Sequence, residues 1–260
     1  MFFARFFCSV LLLILLLTVS LTNARPQSYY ADSLTLANNR GTIFDNLWGR
    51  KGIAEPIRLI LHYKGIPFED VTFSSTLADE SSREKWLKQK QNYLYGQLPN
   101  LEWDEGTEHK ILAQSQTICR YLGNKYGLAG SDFWEAAKTD EIAEWFKDIW
   151  AAFLPLLKVA VGAEAGDKEA MKKEIFVPLI YDRLVTTLVE MLNKSGSGFL
   201  LPSGLTWADF VFANALTTFN NMDKGLLFES HKVLADYEKR VYSANESIKK
   251  YVEGREAKEF

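Results

Sequence analysis

Two short clusters of polar and proline residues have the chemistry to bind an extended anionic ligand. Gln114-Ser115 opens a predicted helix, where free N–H groups, the helix dipole and both side chains favour a carboxylate. Gln97-Leu98-Pro99 stands directly before a predicted strand, where an extended peptide can pair with an exposed backbone edge. Each cluster also has a structural interpretation: Gln114-Ser115 as an ordinary helix cap, and Pro99 as a trans proline at a strand start.

The elements that position these clusters follow the order β-α-β-α-β-β-α between residues 41 and 127. The first helix opens at Ala54-Glu55-Pro56, with proline in its first turn, and is stopped by Gly65. The order predicts a small α/β layer. The expected strands are 41–44, 67–73, 98–103 and 110–112, and the expected helices are 54–64, 81–91 and 114–126.

The pattern of predicted secondary structure changes after Gly127. Residues 132–254 contain no convincing strand and show helical periodicity instead. Thr206 and Asp209 form a capping-box-like pair, which we assign to folding. The pattern therefore predicts an α/β domain joined near 127–132 to an all-helical domain. The expected helices are 133–161, 168–193, one from 206, 229–241 and 243–252.

The N-terminus has the form of a secretory signal peptide. Arg5 precedes an apolar run over 6–21, and small residues follow at Thr22-Asn23-Ala24. An uncleaved anchor is the alternative, but the run is shorter than the roughly 20 residues that span a bilayer. We expect a secreted protein, with domains at 1–24 (signal peptide), 25–40 (polar N-terminal extension), 41–127 (α/β domain) and 132–260 (all-α domain).

Composition and cysteine usage narrow the class of protein. With 47% apolar and 24% charged residues the chain has the composition of an ordinary globular protein. Its net charge of -3 does not provide the excess of positive charge typical of nucleic-acid-binding proteins. After signal cleavage Cys119 is the only cysteine, so it cannot form an intrachain disulfide, and we expect a small buried apolar residue. The three histidines show no metal-site spacing. Asn193 and Asn245 begin glycosylation sequons.

Taken together, these motifs resemble the cytosolic-type glutathione transferases, and most closely their sigma class with its nematode and prostaglandin-D-synthase-like relatives. The resemblance covers about 41–255. It implies a thioredoxin-like N-terminal domain and an all-helical C-terminal domain. It also implies glutathione as co-substrate, no metal, a small apolar electrophile and a homodimer. The motifs that carry it are Ala54-Glu55-Pro56-Ile57-Arg58, Gln97-Leu98-Pro99, Gln114-Ser115 with Arg120-Tyr121-Leu122, and Thr206-Trp207-Ala208-Asp209.

The resemblance also implies roles for individual residues. Leu98, before a cis bond to Pro99, binds the cysteinyl backbone of glutathione, and Gln97 bonds the peptide backbone. Gln114 and Ser115 bind the γ-glutamyl carboxylate at the start of their helix.

Three further positions match residues that complete the family's glutathione site. Trp86 and Lys90 hold the glycine end, and Asp148 reaches the glutathione amino group of the neighbouring subunit. Packing remains open for Trp86, and a solvated surface charge for Lys90 and Asp148.

The chain departs from the family where the glutathione thiol is activated. Sigma-type relatives place a Tyr hydroxyl at the end of strand one, but counting back from Ala54 puts Leu47 there, and a shifted register offers Phe44 or Trp48. Residues 43–55 contain no Tyr, Ser or Cys. Losing that hydrogen bond costs roughly 1.5–3 kcal/mol, so weak activity could survive. Other donors nearby are Asn46, Trp48, Arg50 and Lys51.

These features leave two functions open. The leading one is a transferase that conjugates glutathione to apolar electrophiles or isomerises lipid peroxides. The alternative is an exported protein that binds glutathione or apolar ligands with little or no catalysis. A structural protein ranks third, and a thiol–disulfide oxidoreductase is disfavoured because no Cys starts helix one. The electrophile would lie between the domains near four aromatic residues that could equally be core: Trp48, Trp145, Trp150 and Phe153.

Overall fold

The computed structural model describes residues 34–39, 52–73, 80–160, 162 and 164–255. Within these ranges the chain forms a small mixed sheet with helices, followed by a helical domain. This arrangement confirms the predicted fold class. The predicted signal peptide at 1–24 and the predicted strand at 41–44 lie outside the described residues.

The sheet has four strands in the order β2-β1-β3-β4. Strand β1 runs parallel to β2 and antiparallel to β3, and β3 and β4 form an antiparallel hairpin. Gly106 takes a φ of 64° in the hairpin turn, where a side chain would be strained. The strands are β1 Leu34–Asn39, β2 Glu69–Phe73, β3 Asn100–Glu105 and β4 Glu108–Ala113.

The position of β1 corrects the sequence-based prediction. We expected 25–40 to be a polar extension, which is wrong for Leu34–Asn39 because these residues form an inner strand of the sheet. The strand pairs on both edges, with β2 and with β3, so two backbone ladders hold it. Leu36 is fully buried between them. The strand was missed because it is short and most residues on either side of it are polar.

The helices of the first domain fall close to the expected positions. Helix α1 carries Pro56 in its first turn and ends where Gly65 adopts a left-handed φ of 63°. Lys90, expected on a helix face with Trp86, lies instead in a short 3₁₀ turn after α2. The helices are α1 Glu55–Lys64, α2 Glu80–Gln89 and α3 Ser115–Lys125.

The second domain is helical, as predicted. Over 132–254 the described residues contain an isolated bridge between Leu201 and Gly204 rather than a strand. None of the described helices is both long and apolar enough to cross a membrane. The elements are α4 Phe133–Ala160, α5 Lys168–Met171, a π-helical segment Lys172–Val185, α6 Thr186–Ser195, α7 Trp207–Met222, α8 Leu226–Ser230, α9 Lys232–Tyr242 and α10 Glu246–Glu253.

Helix α7 begins at the predicted capping box. The Asp209 carboxylate accepts from the Thr206 N–H at 2.7 Å and the Thr206 hydroxyl at 2.8 Å. It also accepts from the Leu200 N–H and the Tyr237 hydroxyl, both at 3.0 Å. Because Asp209 is fully buried, these bonds are the partners that offset its desolvation. The motif therefore serves folding, as expected.

The two domains meet along α3 and α7. The Trp207 N–H donates to the Leu128 carbonyl at 2.8 Å. A Cβ placed on Gly123 would lie 2.4 Å from the Trp207 ring, so only glycine permits this approach of the helices. This close packing of α3 against α7 sets how near the two domains lie to each other, and so the size of the space left between them.

The C-terminus of the chain fastens the start of α1. Glu55, 1% exposed, accepts from Arg58 at 3.2 Å, Tyr251 at 3.0 Å and Arg255 at 2.7 Å. Two of these partners lie at the end of the chain, so the second domain anchors the first turn of the first-domain helix. One end of α1 is thereby held in a defined place beside the interdomain space.

Candidate active site

A cavity of about 760 Å³ lies between the two domains. Its walls come from the start of α1, the Leu98–Pro99 turn and the start of α3 on one side, and from α4 and α7 on the other. One part of the wall is polar and the other apolar. The cavity can therefore take a polar and an apolar group side by side.

The polar part includes both clusters that the sequence singled out except for Gln97, which lies beside it. The Leu98–Pro99 peptide bond is cis, as predicted. The Asn100 side chain donates to the Gln97 carbonyl at 2.7 Å and fixes the backbone before that bond. The Gln114 amide donates to the Gln97 side-chain oxygen at 3.3 Å. Residues 17 positions apart thus meet at one edge of the cavity.

The start of α3 does not have the form of an ordinary helix cap. Gln114 makes no side-chain capping bond, and its φ of 72° is unusual for a residue other than glycine. Such strain persists only where the surroundings impose it, and it is concentrated at binding and catalytic sites. Gln114, Ser115 and Thr117 line the cavity at this point. The first turn of α3 therefore faces the space where a ligand carboxylate would lie.

The apolar part of the wall is formed by α4 and α7. Phe146, Trp150 and Leu154 repeat at four-residue spacing, which places them on one face of α4. Val211 and Ala215 repeat in the same way on α7. These two stripes form a surface suited to an apolar compound.

Of the three described aromatic residues predicted near the electrophile, Trp150 is the one that lines the cavity. Trp145 stacks on Phe212 with ring centroids 5.9 Å apart, and Phe153 is fully buried against Phe219 at 5.0 Å. The prediction is wrong for these two, because helical spacing alone does not show which aromatic faces the core. Trp48 lies outside the described residues.

Among the described residues, two cationic ones line the cavity, and both are paired. Burial alone would lower the pKa of Arg58, but the carboxylates of Glu55 and Asp70 outweigh it and raise that pKa. The Arg58–Asp70 distance is 3.0 Å. Lys147 contacts both carboxylate oxygens of Glu144 at 2.8 Å. Both side chains are therefore charged and already partnered.

Cys119 behaves as the sequence predicted. It lies on α3 with 1% of its surface exposed. Burial raises the pKa of its thiol, so the thiolate is disfavoured. The residue contributes apolar packing at the cavity wall rather than a nucleophile.

Comparison with known proteins decides the family. The sequence model of the glutathione S-transferase N-terminal domain matches residues 46–124, and that of the C-terminal domain matches 152–255. Glutathione S-transferase 1 of Ascaris suum is 37% identical over 202 residues, which cover 78% of this chain and 91% of the relative. The chain belongs to the glutathione S-transferase family.

Solved structures agree with this assignment. A glutathione S-transferase of the hookworm Necator americanus, described as monomeric, superposes with a TM-score of 0.73 at 31% identity, covering 88% of this chain and all of that one. A prostaglandin synthase D of Nilaparvata lugens superposes with a TM-score of 0.66 at 27% identity, covering 86% of this chain and 99% of that one. The glutathione S-transferase fold therefore extends over most of the described chain.

The residues expected at the glycine end of glutathione lie beside the cavity rather than in its wall. Trp86 packs between Phe73, at 5.5 Å, and Tyr93, at 5.6 Å. The Lys90 side chain runs over Gly96, where an added Cβ would be 2.8 Å from the lysine Cε. Lys90 thus lies next to the backbone that leads into the Gln97 turn, with its charge at the surface. Its role toward glutathione, and that of Trp86, stay predictions.

Asp148 lies on the exposed side of α4 and does not line the cavity. That position is compatible with a residue that serves the neighbouring subunit, and equally with a surface charge. The predicted contact with a partner's glutathione therefore stays a prediction.

Strand one carries no thiol-activating hydroxyl of the expected kind. Strand β1 contains no Tyr, Ser or Cys, and its central residue Leu36 is fully buried. Counting back from Ala54 assumed a short link between strand and helix, whereas β1 ends at Asn39, well before α1. The residues proposed from that count lie outside the described residues: Asn46, Leu47, Trp48, Arg50 and Lys51.

The two sequons differ in accessibility. Asn193 is exposed on α6. Asn245 caps α10: its oxygen accepts from the Ile248 N–H at 3.0 Å, and its nitrogen donates to the Tyr63 carbonyl at 2.7 Å. Because both amide atoms of Asn245 are engaged, Asn193 is the better candidate for a glycan.

Sequence reasoning missed several residues of the cavity. The four-residue repeat of Phe146, Trp150 and Leu154 is a signal that could have identified the apolar wall. Gln116 and Asn214 also line the cavity, but neither belongs to a recognisable motif in the sequence.

Proposed function

We propose that this protein is a sigma-like glutathione transferase that joins glutathione to apolar electrophiles in the interdomain cavity. The observation that carries the proposal is the meeting of Gln97, the cis Leu98–Pro99 bond, Gln114 and Ser115 at its polar edge. The strained backbone at Gln114, which caps nothing, supports a ligand site there.

In this proposal the polar edge holds the tripeptide by its backbone and its γ-glutamyl end. The backbone of Leu98 pairs with the cysteinyl unit as an added strand would. The Ser115 hydroxyl and the first N–H groups of α3 take the γ-glutamyl carboxylate. Gln97 and Gln114 hold the turn between these contacts. The cysteinyl sulfur then points toward the apolar wall.

Two peripheral contacts complete the proposed glutathione site. Lys90 lies next to the Gln97 turn and Trp86 packs on Tyr93, which supports their role at the glycine end. Asp148 would complete the site from a second subunit, which makes the active form a homodimer. Because a hookworm relative is described as monomeric, measuring the oligomeric state of this protein tests whether a second subunit is available to complete the site.

The electrophile occupies the apolar part of the cavity. Trp150, Phe146 and Leu154 would bury an aryl or alkyl group next to the glutathione sulfur. Isomerisation of a lipid peroxide is a second reaction of the same site, and the likeness to an insect structure described as prostaglandin synthase D supports it.

Transfer requires the glutathione sulfur as a thiolate, and an ordinary cysteine thiol has a pKa of about 8.5. We infer that the segment between β1 and α1 supplies the stabilising donor, with Asn46, Trp48, Arg50 and Lys51 as candidates. The lack of a Tyr, Ser or Cys in β1 favours the alternative, an exported protein that binds glutathione or apolar ligands with little turnover.

Export and glycosylation also belong to the proposal. Residues 1–24 would direct the chain to the secretory route and be removed there, and Asn193 would be the main glycan site. Secretion from expressing cells, with loss of a glycosidase-sensitive mass in Asn193→Gln, would support both. Retention of the full-length chain inside the cell would contradict export.

The test of the proposed site is glutathione affinity measured by calorimetry, together with the rate of conjugation to an aryl halide. A hydrogen bond to a charged group contributes roughly 1.5–3 kcal/mol, so Ser115→Ala should weaken glutathione binding about 10- to 150-fold. Ser243→Ala, at an exposed serine directly after α9 that does not line the cavity, is the matched control and should leave affinity unchanged. Equal affinity of the two variants would contradict the placement of the carboxylate.

A further inference from the structure

Two buried side-chain amides stand in the wall of the interdomain cavity. Gln116 lies in the first turn of α3 and is 9% exposed, and Asn214 lies on α7 and is 7% exposed. Both line the cavity, and they come from the two different domains. Their neighbours in the wall are largely apolar, among them Val211 and Ala215.

The orientation of each amide follows from its hydrogen bond. The Gln116 nitrogen donates to the Ala143 carbonyl at 2.9 Å, and the Asn214 nitrogen donates to the Gly52 carbonyl at 3.3 Å. A backbone carbonyl can only accept, so the nitrogen, not the oxygen, must face it. The two amide oxygens are therefore the atoms left over.

Both of these oxygens are buried and have no hydrogen-bond partner among the described residues. An unpaired buried acceptor destabilises the fold, and most buried polar atoms in proteins are paired. Both residues line the cavity, so a donor group on a molecule bound there is the available partner for these oxygens. The wall thus holds two acceptors that a bound molecule with a donor would satisfy.

The charges around the cavity indicate the kind of donor. None of the described residues that line it is acidic, so a ligand ammonium would find no counter-ion there. The lining cations Arg58 and Lys147 would disfavour it further. A carboxylate in contact with two amide oxygens would be repelled by them. A neutral hydroxyl fits both conditions.

We propose that the apolar co-substrate of this protein carries a hydroxyl group, which donates to Gln116 Oε1 or Asn214 Oδ1. Gln116 and Asn214 are then specificity-determining residues, which distinguish hydroxylated apolar compounds from plain ones. This inference rests on the proposed function to the extent that the cavity is where the electrophile binds. It adds which electrophiles the cavity prefers.

The test compares a medium-chain alcohol, octanol, with its methyl ether, which keeps the oxygen but lacks the donor hydrogen. Both are titrated by calorimetry into the signal-free protein, with and without glutathione. A neutral hydrogen bond contributes about 0.5–1.5 kcal/mol, so the alcohol-to-ether affinity ratio should fall roughly 2- to 12-fold in Asn214→Leu or Gln116→Met. The two variants are independent, which covers failure of one of them to fold.

Val211→Ala is the control, because it removes apolar wall without touching either acceptor. It should weaken both compounds alike and leave their ratio unchanged. An unaltered ratio in both amide variants would overturn the inference and assign the oxygens to bound water. If the alcohol-to-ether affinity ratio falls as expected in the amide variants but the protein does not bind glutathione, the inference about the hydroxyl group stands and the proposed function is overturned.

Discussion

The two sides of the glutathione end of the cavity match the family to very different degrees. At the Leu98–Pro99 turn and the start of α3, the cis bond, the Gln97–Gln114 contact and Ser115 occur together. At the β1–α1 side, the strand lacks the expected hydroxyl, and the match to the N-terminal domain model begins only at residue 46, after β1. Binding of glutathione and activation of its thiol are therefore two predictions that can be tested separately.

The largest expected effect tests whether the C-terminal residues hold the start of α1 in place on the β1–α1 side. Glu55→Ala should lower the free energy of unfolding by about 3–5 kcal/mol, because it leaves Arg58 and Arg255 buried beside a missing carboxylate. Denaturant unfolding measures the loss. Glu84→Ala, which removes an exposed pair with Lys88, should cost under about 1 kcal/mol. Similar losses for both would show that α1 is not held by the C-terminus.

The next effect locates the group that stabilises the thiolate. Replacing the correct donor by an apolar residue should raise the pKa of bound glutathione by about 1–2 units, since each unit corresponds to about 1.4 kcal/mol. The variants are Asn46→Ala, Trp48→Phe, Arg50→Met and Lys51→Met, and thiolate absorbance against pH is the readout. Ser115→Ala should weaken binding without this shift. A shift in Ser115→Ala alone would reverse the comparison.

A smaller effect concerns the apolar wall. Trp150→Ala should raise the KM for an aryl electrophile roughly 5- to 30-fold, the loss expected when part of a buried aromatic contact is removed. Glutathione affinity should stay within about twofold, because Trp150 lies on the opposite domain from Leu98 and Ser115. A parallel loss of glutathione affinity would mean that the two parts of the cavity are not independent.

The smallest effect probes the strain at Gln114. Gln114→Gly should stabilise the fold by about 1 kcal/mol, because glycine adopts a positive φ without strain. It should also weaken glutathione binding several-fold by removing the side chain. Thermal unfolding and calorimetry on the same variant measure the two changes. A variant that is both less stable and equally tight would contradict a functional origin of the strain.

The ends of some helices could be predicted, because proline, glycine and capping residues act on the backbone close to them in the sequence. Pro56 and Gly65 fix the ends of α1, and Thr206 and Asp209 fix the start of α7, so these bounds follow from the sequence. The cis bond before Pro99 came from the family resemblance, because local sequence alone favours trans.

Other features depend on tertiary contacts that no local pattern records. Strand β1 is short, and its pairing with β2 and β3 involves residues distant in the sequence, so no local pattern identified it. Phe153 and Trp150 lie three residues apart on α4, yet one is core and the other lines the cavity. Which of them faces the first domain is set by packing between the domains, not by helical spacing.

The central claim is that this chain both binds glutathione and lowers the pKa of its thiol without a strand-one tyrosine. Titration of the signal-free protein with glutathione, followed by thiolate absorbance against pH, tests it most directly. We predict saturable binding with a thiol pKa clearly below the value of about 8.5 for a free thiol. Tight binding with an unshifted pKa would contradict the claim and establish the protein as a carrier of glutathione rather than a transferase.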